Sequence, residues 1–248
     1  MEDIRQYLDS TYLKTAPQAG LTEDENRNVV RAVVNEAIQE GFKLVMVRPD
    51  MVAMACSMIT EAGSAVEVGT VIDFPNGDGG LEVKLAEARR AIQDGADDLD
   101  FVIDYKAFIA GEKERVEAEV MQCTSLALAH GRVAKWIIEI AALTPEQIKA
   151  VCSLIKSVVM TFADVEDYRS IFIKSSTGFY VTEGGLPNGA TPEGIKLMLE
   201  CAAPLPVKAA GGVRNYKEAA DMIKLGVKRI GTSSAKAIVD GFTAEPGY

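Results

Sequence analysis

Histidine is nearly missing from this chain: His130 is its one example in 248 residues. A multi-histidine metal site and a Ser-His or Cys-His mechanism are therefore close to excluded, the more so because His130 stands before Gly131 at an expected helix end. Cysteine is sparse too, and Cys56, Cys123, Cys152 and Cys201 form no CxxC pair. With no charged-then-apolar segment at the amino terminus, the expected setting is a reducing cytoplasm. No uncharged apolar run approaches the ~18–20 residues that span a bilayer. Positive charge is also in deficit: 26 Lys and Arg stand against 36 Asp and Glu, a net charge of −10. That balance opposes non-specific binding to nucleic acid or anionic membrane and leaves small molecules as the expected partners. There is no Pro/Ser-rich linker, low-complexity tract or shift in composition, so residues 1–248 read as one domain.

What the chain does have is core material, 48% hydrophobic residues against 25% charged, and a regular rhythm in how they are used. Short apolar segments alternate with helical patterns such as Val29, Val30, Val33, Val34, Ala37 and Ile38, which cover one helix face. Eight strands are expected, at Tyr7–Thr11, Leu44–Val47, Glu67–Ile72, Leu99–Ile103, Val133–Ile140, Ile171–Lys174, Val207–Ala209 and Arg229–Gly231. Thr22-Glu23-Asp24-Glu25 and Thr144-Pro145-Glu146-Gln147 are capping boxes, Thr191-Pro192 opens a further helix, and Gly41, Gly63, Gly95, Gly131 and Gly226 close helices or precede strands. About 30 residues per unit fit an α/β fold of the (β/α)8 TIM-barrel type, while the pattern alone also admits a doubly wound sheet.

In a barrel, chemistry gathers at the C-terminal ends of the strands. Lys174 occupies such an end in Phe172-Ile173-Lys174-Ser175-Ser176-Thr177-Gly178, and Lys208 repeats the arrangement one unit later before Gly211-Gly212. An unpaired buried ammonium costs several kcal/mol, so such a lysine is paired with an acid, snorkels to water or works as a neutral amine. A nearby second cation and desolvation both favour the amine, which then attacks a carbonyl to form a Schiff base. No cofactor and no metal are needed for such an aldol cleavage. The competing reading is an ion pair from Lys174 to Glu139 or Asp100, with Glu139 favoured as a structural ion-pair partner. Asp100, flanked by apolar residues, suits proton transfer, and Lys135 lies on the next strand. Asp97 and Asp98 precede the strand and are expected to face solvent.

Gly211-Gly212 and Gly231-Thr232-Ser233-Ser234 follow the seventh and eighth strands, from which barrels commonly build a phosphate site. Arg214 stands beside the first pair. The glycine-rich stretch from Tyr180 to Ala190 is long enough to cover a site. Tyr248, the last residue, carries a phenol on a tail that can reach a barrel mouth.

Taken together these segments resemble the deoxyribose-phosphate aldolases, a class I aldolase family. The likeness runs from Leu8-Asp9-Ser10-Thr11-Tyr12-Leu13-Lys14 through Gly95-Ala96-Asp97-Asp98-Leu99-Asp100 and Lys135-Trp136-Ile137-Ile138-Glu139 to the Lys174 and Lys208 motifs. It implies a (β/α)8 barrel that cleaves 2-deoxy-D-ribose 5-phosphate reversibly to D-glyceraldehyde 3-phosphate and acetaldehyde. In that scheme Lys174 forms the Schiff base, Lys208 lowers its pKa, Asp100 assists proton transfer through water, Lys135 supports the network and Tyr248 takes part in exchange of the acetaldehyde methyl proton. Asp9 and Thr11 would contact the sugar, and Thr177, Gly178, Gly211, Gly212, Ser233 and Ser234 would surround the phosphate. A homodimer or homotetramer is implied. The chain departs from the family pattern at Met46 (often Cys), Asp73 (usually Gly), Phe179 (Lys or Phe) and the longer Tyr180–Gly189 loop, changes expected to bear on phosphate dependence and acceptor range. The rival readings are a Schiff-base aldolase with a ketose-phosphate or keto-acid donor, and a non-catalytic barrel that binds a sugar phosphate.

Overall fold

The computed structural model describes residues 3–242. Eight parallel strands close into a barrel in chain order: β1 (Leu8–Thr11), β2 (Leu44–Val47), β3 (Glu67–Ile72), β4 (Asp98–Val102), β5 (Val133–Ile137), β6 (Ile171–Lys174), β7 (Val207–Ala210) and β8 (Arg229–Thr232). β8 pairs with β1, Leu8 opposite Ile230, Asp9 opposite Gly231 and Ser10 opposite Thr232. That closure excludes the open, doubly wound alternative. Parallel neighbours need crossovers, and helices supply them in turn: Glu23–Glu40, Val52–Glu61, Leu81–Gln93, Lys113–Ala129, Pro145–Val159, Pro192–Ala202, Tyr216–Leu225 and, after β8, Ala235–Asp240. None is long and apolar enough to cross a membrane among the described residues.

The local signals act as read. Thr22 Oγ1 accepts from Glu25 N at 3.3 Å while Glu25 Oε2 accepts from Thr22 N at 2.8 Å, and Thr144 and Gln147 repeat the exchange at 3.2 and 2.9 Å. Each such cap contributes about 1 kcal/mol. Strand limits differ from the expected ones most at β5, which ends at Ile137 rather than Ile140 because Glu139 takes a left-handed φ of 56°. The apolar run Trp136-Ile137-Ile138 conceals that bend.

Strand alternation divides the interior into two cores. Outward positions, among them Val45, Val47, Val68, Leu99, Phe101, Trp136, Ile138, Ile173, Val207 and Ile230, join the main apolar cluster beneath the helices. Trp136 stacks on Phe101 and donates Nε1–H to Thr124 Oγ1 at 2.9 Å. Inward positions on β2 and β3 form a separate small cluster, Leu44, Met46 and Val71 with Leu13. Across the barrel the strands β4 to β8 and β1 carry charge on the inward face: Asp98, Asp100, Lys135, Lys174, Lys208, Arg229 and Asp9, all buried. A TIM-barrel interior is ordinarily packed with branched apolar side chains, so this charged half marks where the fold gives up packing for chemistry.

Candidate active site

Strand register sets the charged side chains beside one another. Asp100 on β4 is level with Lys135 on β5, Ile137 on β5 with Lys174 on β6, and Lys174 with Lys208 on β7. Asp100 gathers all three lysines: its Oδ2 accepts from Lys174 Nζ and Lys208 Nζ, each at 2.8 Å, and its Oδ1 from Lys135 Nζ at 2.9 Å. Lys208 Nζ also lies 2.6 Å from Asp9 Oδ2, and Lys135 also pairs with Asp98. Arg229 grips Asp9 Oδ1 through Nε at 2.7 Å and Nη2 at 2.6 Å, and reaches Asp98 Oδ2 at 3.2 Å. Gly231 makes room for the network, since a Cβ there would lie 3.1 Å from Lys208 Cε.

One lysine differs from its neighbours. Lys135 and Lys208 have no exposure, whereas Lys174 is 3% exposed and forms part of the wall of an open-mouthed cavity at the C-terminal ends of the strands. Burial, reinforced by the like charges of Lys208 and Lys135 and only partly opposed by Asp100, pulls the Lys174 ammonium down to about 8. At pH 7 about one such amine in ten is neutral, roughly three hundred times the fraction of a free lysine. Burial alone would raise Asp100, but the lysines around it hold its carboxyl well below the usual carboxylate range. Asp9 is lowered likewise, burial being outweighed by Arg229 and Lys208. The site thus holds an available amine beside a carboxylate that stays ionised.

The cavity brings together Thr11, Thr177, Gly178, Gly211, Gly212, Gly231, Thr232, Ser233, Lys174 and Arg214 from the residues singled out in the sequence, and adds Leu13 and Asn188. Asp9 is not on its wall; its carboxylate is spent on Lys208 and Arg229 underneath. Ser234 sits behind the wall, its N–H donating to Thr232 Oγ1 at 2.9 Å. Tyr248 lies outside the described residues. Asn188 Nδ2 donates to the carbonyls of Gly178 and Tyr180 at 3.2 and 3.3 Å, folding the 180–190 loop over itself. That loop is stitched to the β7 turn where Ala190 N donates to Ala210 O and Gly211 O at 3.1 and 2.9 Å. Gly189 and Gly211 touch backbone to backbone there, for a Cβ on Gly189 would come within 2.4 Å of the Gly211 carbonyl.

Several expectations change. Asp98 is wholly buried inside β4, paired to Lys135 and Arg229, because the strand begins one residue earlier than the apolar run suggests. Glu139 makes no ion pair with Lys174; its Oε2 accepts from Thr177 Oγ1 and, at 3.2 Å, from Thr177 N, and burial pushes its carboxyl up to about 7. Asp73 has no bearing on the cavity. It takes a φ of 53°, a conformation that glycine accepts freely and Asp tolerates, and its Oδ2 accepts from buried Lys84 at 2.8 Å and from Gly79 N at 2.9 Å. Met46 and Phe179 belong to the apolar half, Phe179 standing edge-on to Phe74 at 5.1 Å. Arg229 is not among the residues the sequence singles out, because an arginine opening a strand reads as a solvated end.

The sequence profile described as DeoC/LacD family aldolase matches residues 15–241. The chain is similar to the deoxyribose-phosphate aldolase of Thermococcus gammatolerans, with 40% identity over 240 residues covering 96% of each protein. Among solved structures it is similar to QR15, an aldolase, with 33% identity and a TM-score of 0.79 over 97% of this chain and 96% of that one. It is also similar to the deoxyribose phosphate aldolase from Aeropyrum pernix, whose structure is described as a unique tetramer, with 30% identity and a TM-score of 0.76 over 96% of this chain and 89% of that one.

Proposed function

The chain belongs to the DeoC/LacD aldolase family, and from that premise we propose that it reversibly cleaves 2-deoxy-D-ribose 5-phosphate to D-glyceraldehyde 3-phosphate and acetaldehyde through a Schiff base on Lys174. The observation that carries the reading is that Lys174 alone of three clustered lysines opens to the cavity, while sharing one oxygen of Asp100 with Lys208.

The neutral Lys174 amine adds to the aldehyde carbon, and loss of water from the carbinolamine leaves a protonated imine. That imine draws in the electron pair of the C2–C3 bond as the 3-hydroxyl of the substrate gives up its proton, so glyceraldehyde 3-phosphate leaves and an enamine remains. Protonation of the enamine carbon and hydrolysis release acetaldehyde and restore the amine. Asp100, kept ionised by its lysines, is the base that exchanges protons with a water at the imine, and Lys208 on the same oxygen holds the second positive charge that disfavours ammonium at Lys174. Lys135 braces Asp100 from its other oxygen. Thr11 contacts the sugar, and Thr177, Gly178, Gly211, Gly212 and Ser233 surround the phosphate, with Arg214 beside them. The enzyme acts as a homo-oligomer in the cytoplasm, a setting consistent with its four free cysteines.

The test is intact mass and peptide mapping after borohydride reduction in the presence of acetaldehyde or 2-deoxyribose 5-phosphate. A stable adduct on Lys174, lost in a folded Lys174→Ala variant along with turnover, is expected. A folded protein that binds sugar phosphate without forming an adduct would turn the assignment to a non-catalytic binder. Aldol addition that prefers dihydroxyacetone phosphate to acetaldehyde as donor would turn it to the ketose-phosphate reading.

A further inference from the structure

Beneath the cavity the ion pairs close on themselves. From Asp100 the contacts run to Lys208, Asp9, Arg229, Asp98, Lys135 and back to Asp100, alternating in sign at every step. Three carboxylates and three cations make up this ring, and Lys174 hangs from it as a fourth cation by its single bond to Asp100. Within the ring each member has two partners of opposite sign. Among the described residues Lys174 has one, and that one is shared with two other lysines. The ring therefore holds its own charges in balance and leaves the amine at the cavity floor without an acid of its own.

Resting on the Schiff-base reading above, we propose that Arg229 and Asp98, neither of which reaches the cavity, are positioning residues that close this ring and so set Lys174 apart as its unmatched cation. Arg229 acts through Asp9: by holding Asp9 Oδ1 in a two-pronged grip it leaves only Oδ2 for Lys208, so Lys208 stays between Asp9 and Asp100. Asp98 acts through Lys135, holding that ammonium against the far oxygen of Asp100.

Beyond Asp100, Lys208 and Lys135, few charged groups among the described residues face Lys174 and the ring. Glu139, two residues beyond β5, is engaged by Thr177 and, pushed up to about 7 by burial, is only partly ionised at neutral pH. Glu67 on β3 stands 3.9 Å from Arg229 Nη1 and pairs with Lys43, so the two cancel. Removing Arg229 leaves three lysines to three carboxylates, and Lys174 gains a larger share of Asp100. Removing Asp98 leaves four cations to two carboxylates and disfavours a charge on Lys174 further. The two variants thus act in opposite directions.

The experiment measures the acid limb of kcat/KM for 2-deoxyribose 5-phosphate, which reports the free enzyme's amine, in wild type, Arg229→Gln, Arg229→Lys and Asp98→Asn, with folding checked by circular dichroism. Arg229→Gln is expected to move the limb up by about half a pH unit or more, Asp98→Asn to move it down, and Arg229→Lys, which keeps the charge, to leave it near wild type. The same order is expected in the pH dependence of borohydride trapping with acetaldehyde. Limbs that move together, or an Arg229→Gln limb indistinguishable from wild type, would overturn the proposal, because a merely structural pair lowers activity without a signed shift. Should Arg229→Gln fail to fold, Asp98→Asn with a limb at or above the wild-type position overturns it alone. Absence of any adduct in the wild type would instead sink the Schiff-base reading, which separates the two failures.

Discussion

Replacing Lys208 by methionine keeps the unbranched side chain as far as Cε and removes one charge from the most crowded point of the site. In the native arrangement the Lys174 and Lys208 ammonium groups sit on the same Asp100 oxygen, each 2.8 Å from it, so they are at most about twice that distance apart. At an effective dielectric constant near 20, two like charges so separated repel by about 3 kcal/mol, roughly two pH units of bias against a second ammonium. Without Lys208 that bias is gone, and Lys174 moves from about 8 toward the ordinary lysine value. In the proposed mechanism the reactive form is the neutral amine, so the acid limb of kcat/KM moves to higher pH. At pH 7 the neutral fraction, and kcat/KM with it, falls about a hundredfold, and most of the loss returns by pH 9 to 10. The fold survives, because Asp9 keeps both contacts to Arg229 and Asp100 keeps Lys174 and Lys135, so no buried charge is stranded. Kinetics across pH 6 to 10 on a variant with native circular dichroism decide the matter. A methionine variant whose limb coincides with wild type, however slow, would refute the electrostatic account of Lys208.

Asp100→Asn leaves three buried ammonium groups without their common anion; a loss of about 3–5 kcal/mol in urea unfolding is expected together with loss of turnover. Because Asp100 is held well below its usual range, the stability it contributes is present above the unfolded carboxylate value and is lost only as pH falls through the folded one. Glu139 behaves in the opposite way: its folded carboxyl is raised to about 7, so stability falls as pH climbs from about 4.5 to 7, by about 3 kcal/mol. Glu139→Gln should remove that slope, seen as wild type losing ground to the variant in denaturation at pH 8 against pH 5. Gly189→Ala drives a methyl into the Gly211 carbonyl, so the 180–190 loop must shift; a cost of about 1–3 kcal/mol and a raised KM with kcat less affected are expected from melting curves and steady-state kinetics.

How much of this was legible depended on whether a residue's local signal agreed with its place in the barrel. Lys174 and Lys208 were readable because each lies in a short apolar strand followed by small residues, where a lysine is rarely placed without a partner or a task. Leu44–Val47, Glu67–Ile72 and Ile171–Lys174 were readable end to end, since short, mainly apolar runs bounded by polar turns are what a strand buried on both faces requires. Asp98 and Arg229 were not readable. Each opens a strand, where a charge normally meets solvent, and only closure of the barrel, with Arg229 on β8 and Asp9 on β1 brought onto adjacent strands, turns those ends inward. Glu139 was misjudged for a local reason: nothing in Ile138-Glu139-Ile140 announces a left-handed residue. Met46 and Asp73 look like changes at a pocket edge when set against a family pattern, yet one fills the apolar half and the other caps a turn against Lys84.

The division of the barrel into an apolar and an ionic half is what makes the lysine chemistry hold together. Burying seven charged groups carries a desolvation cost that well-packed hydrophobic residues would not incur, and replacing such a network wholesale is often neutral or stabilising. The network therefore cannot be accounted for by stability alone. What it supplies is a fixed field: Asp100 remains ionised, Lys135 and Lys208 remain in place, and the one amine that opens to the cavity is the one with the weakest claim on an acid. The apolar half, Leu13, Leu44, Met46 and Val71, carries no charge to relieve that imbalance. An aspartate introduced there, at Val71 level with Asp100 across β3 and β4, would supply the missing fourth anion. Val71→Asp is accordingly expected to raise the acid limb as Arg229→Gln does, by adding an anion rather than by removing a cation, and a limb unchanged in a folded Val71→Asp protein would show that the charge balance of the barrel interior does not govern the amine.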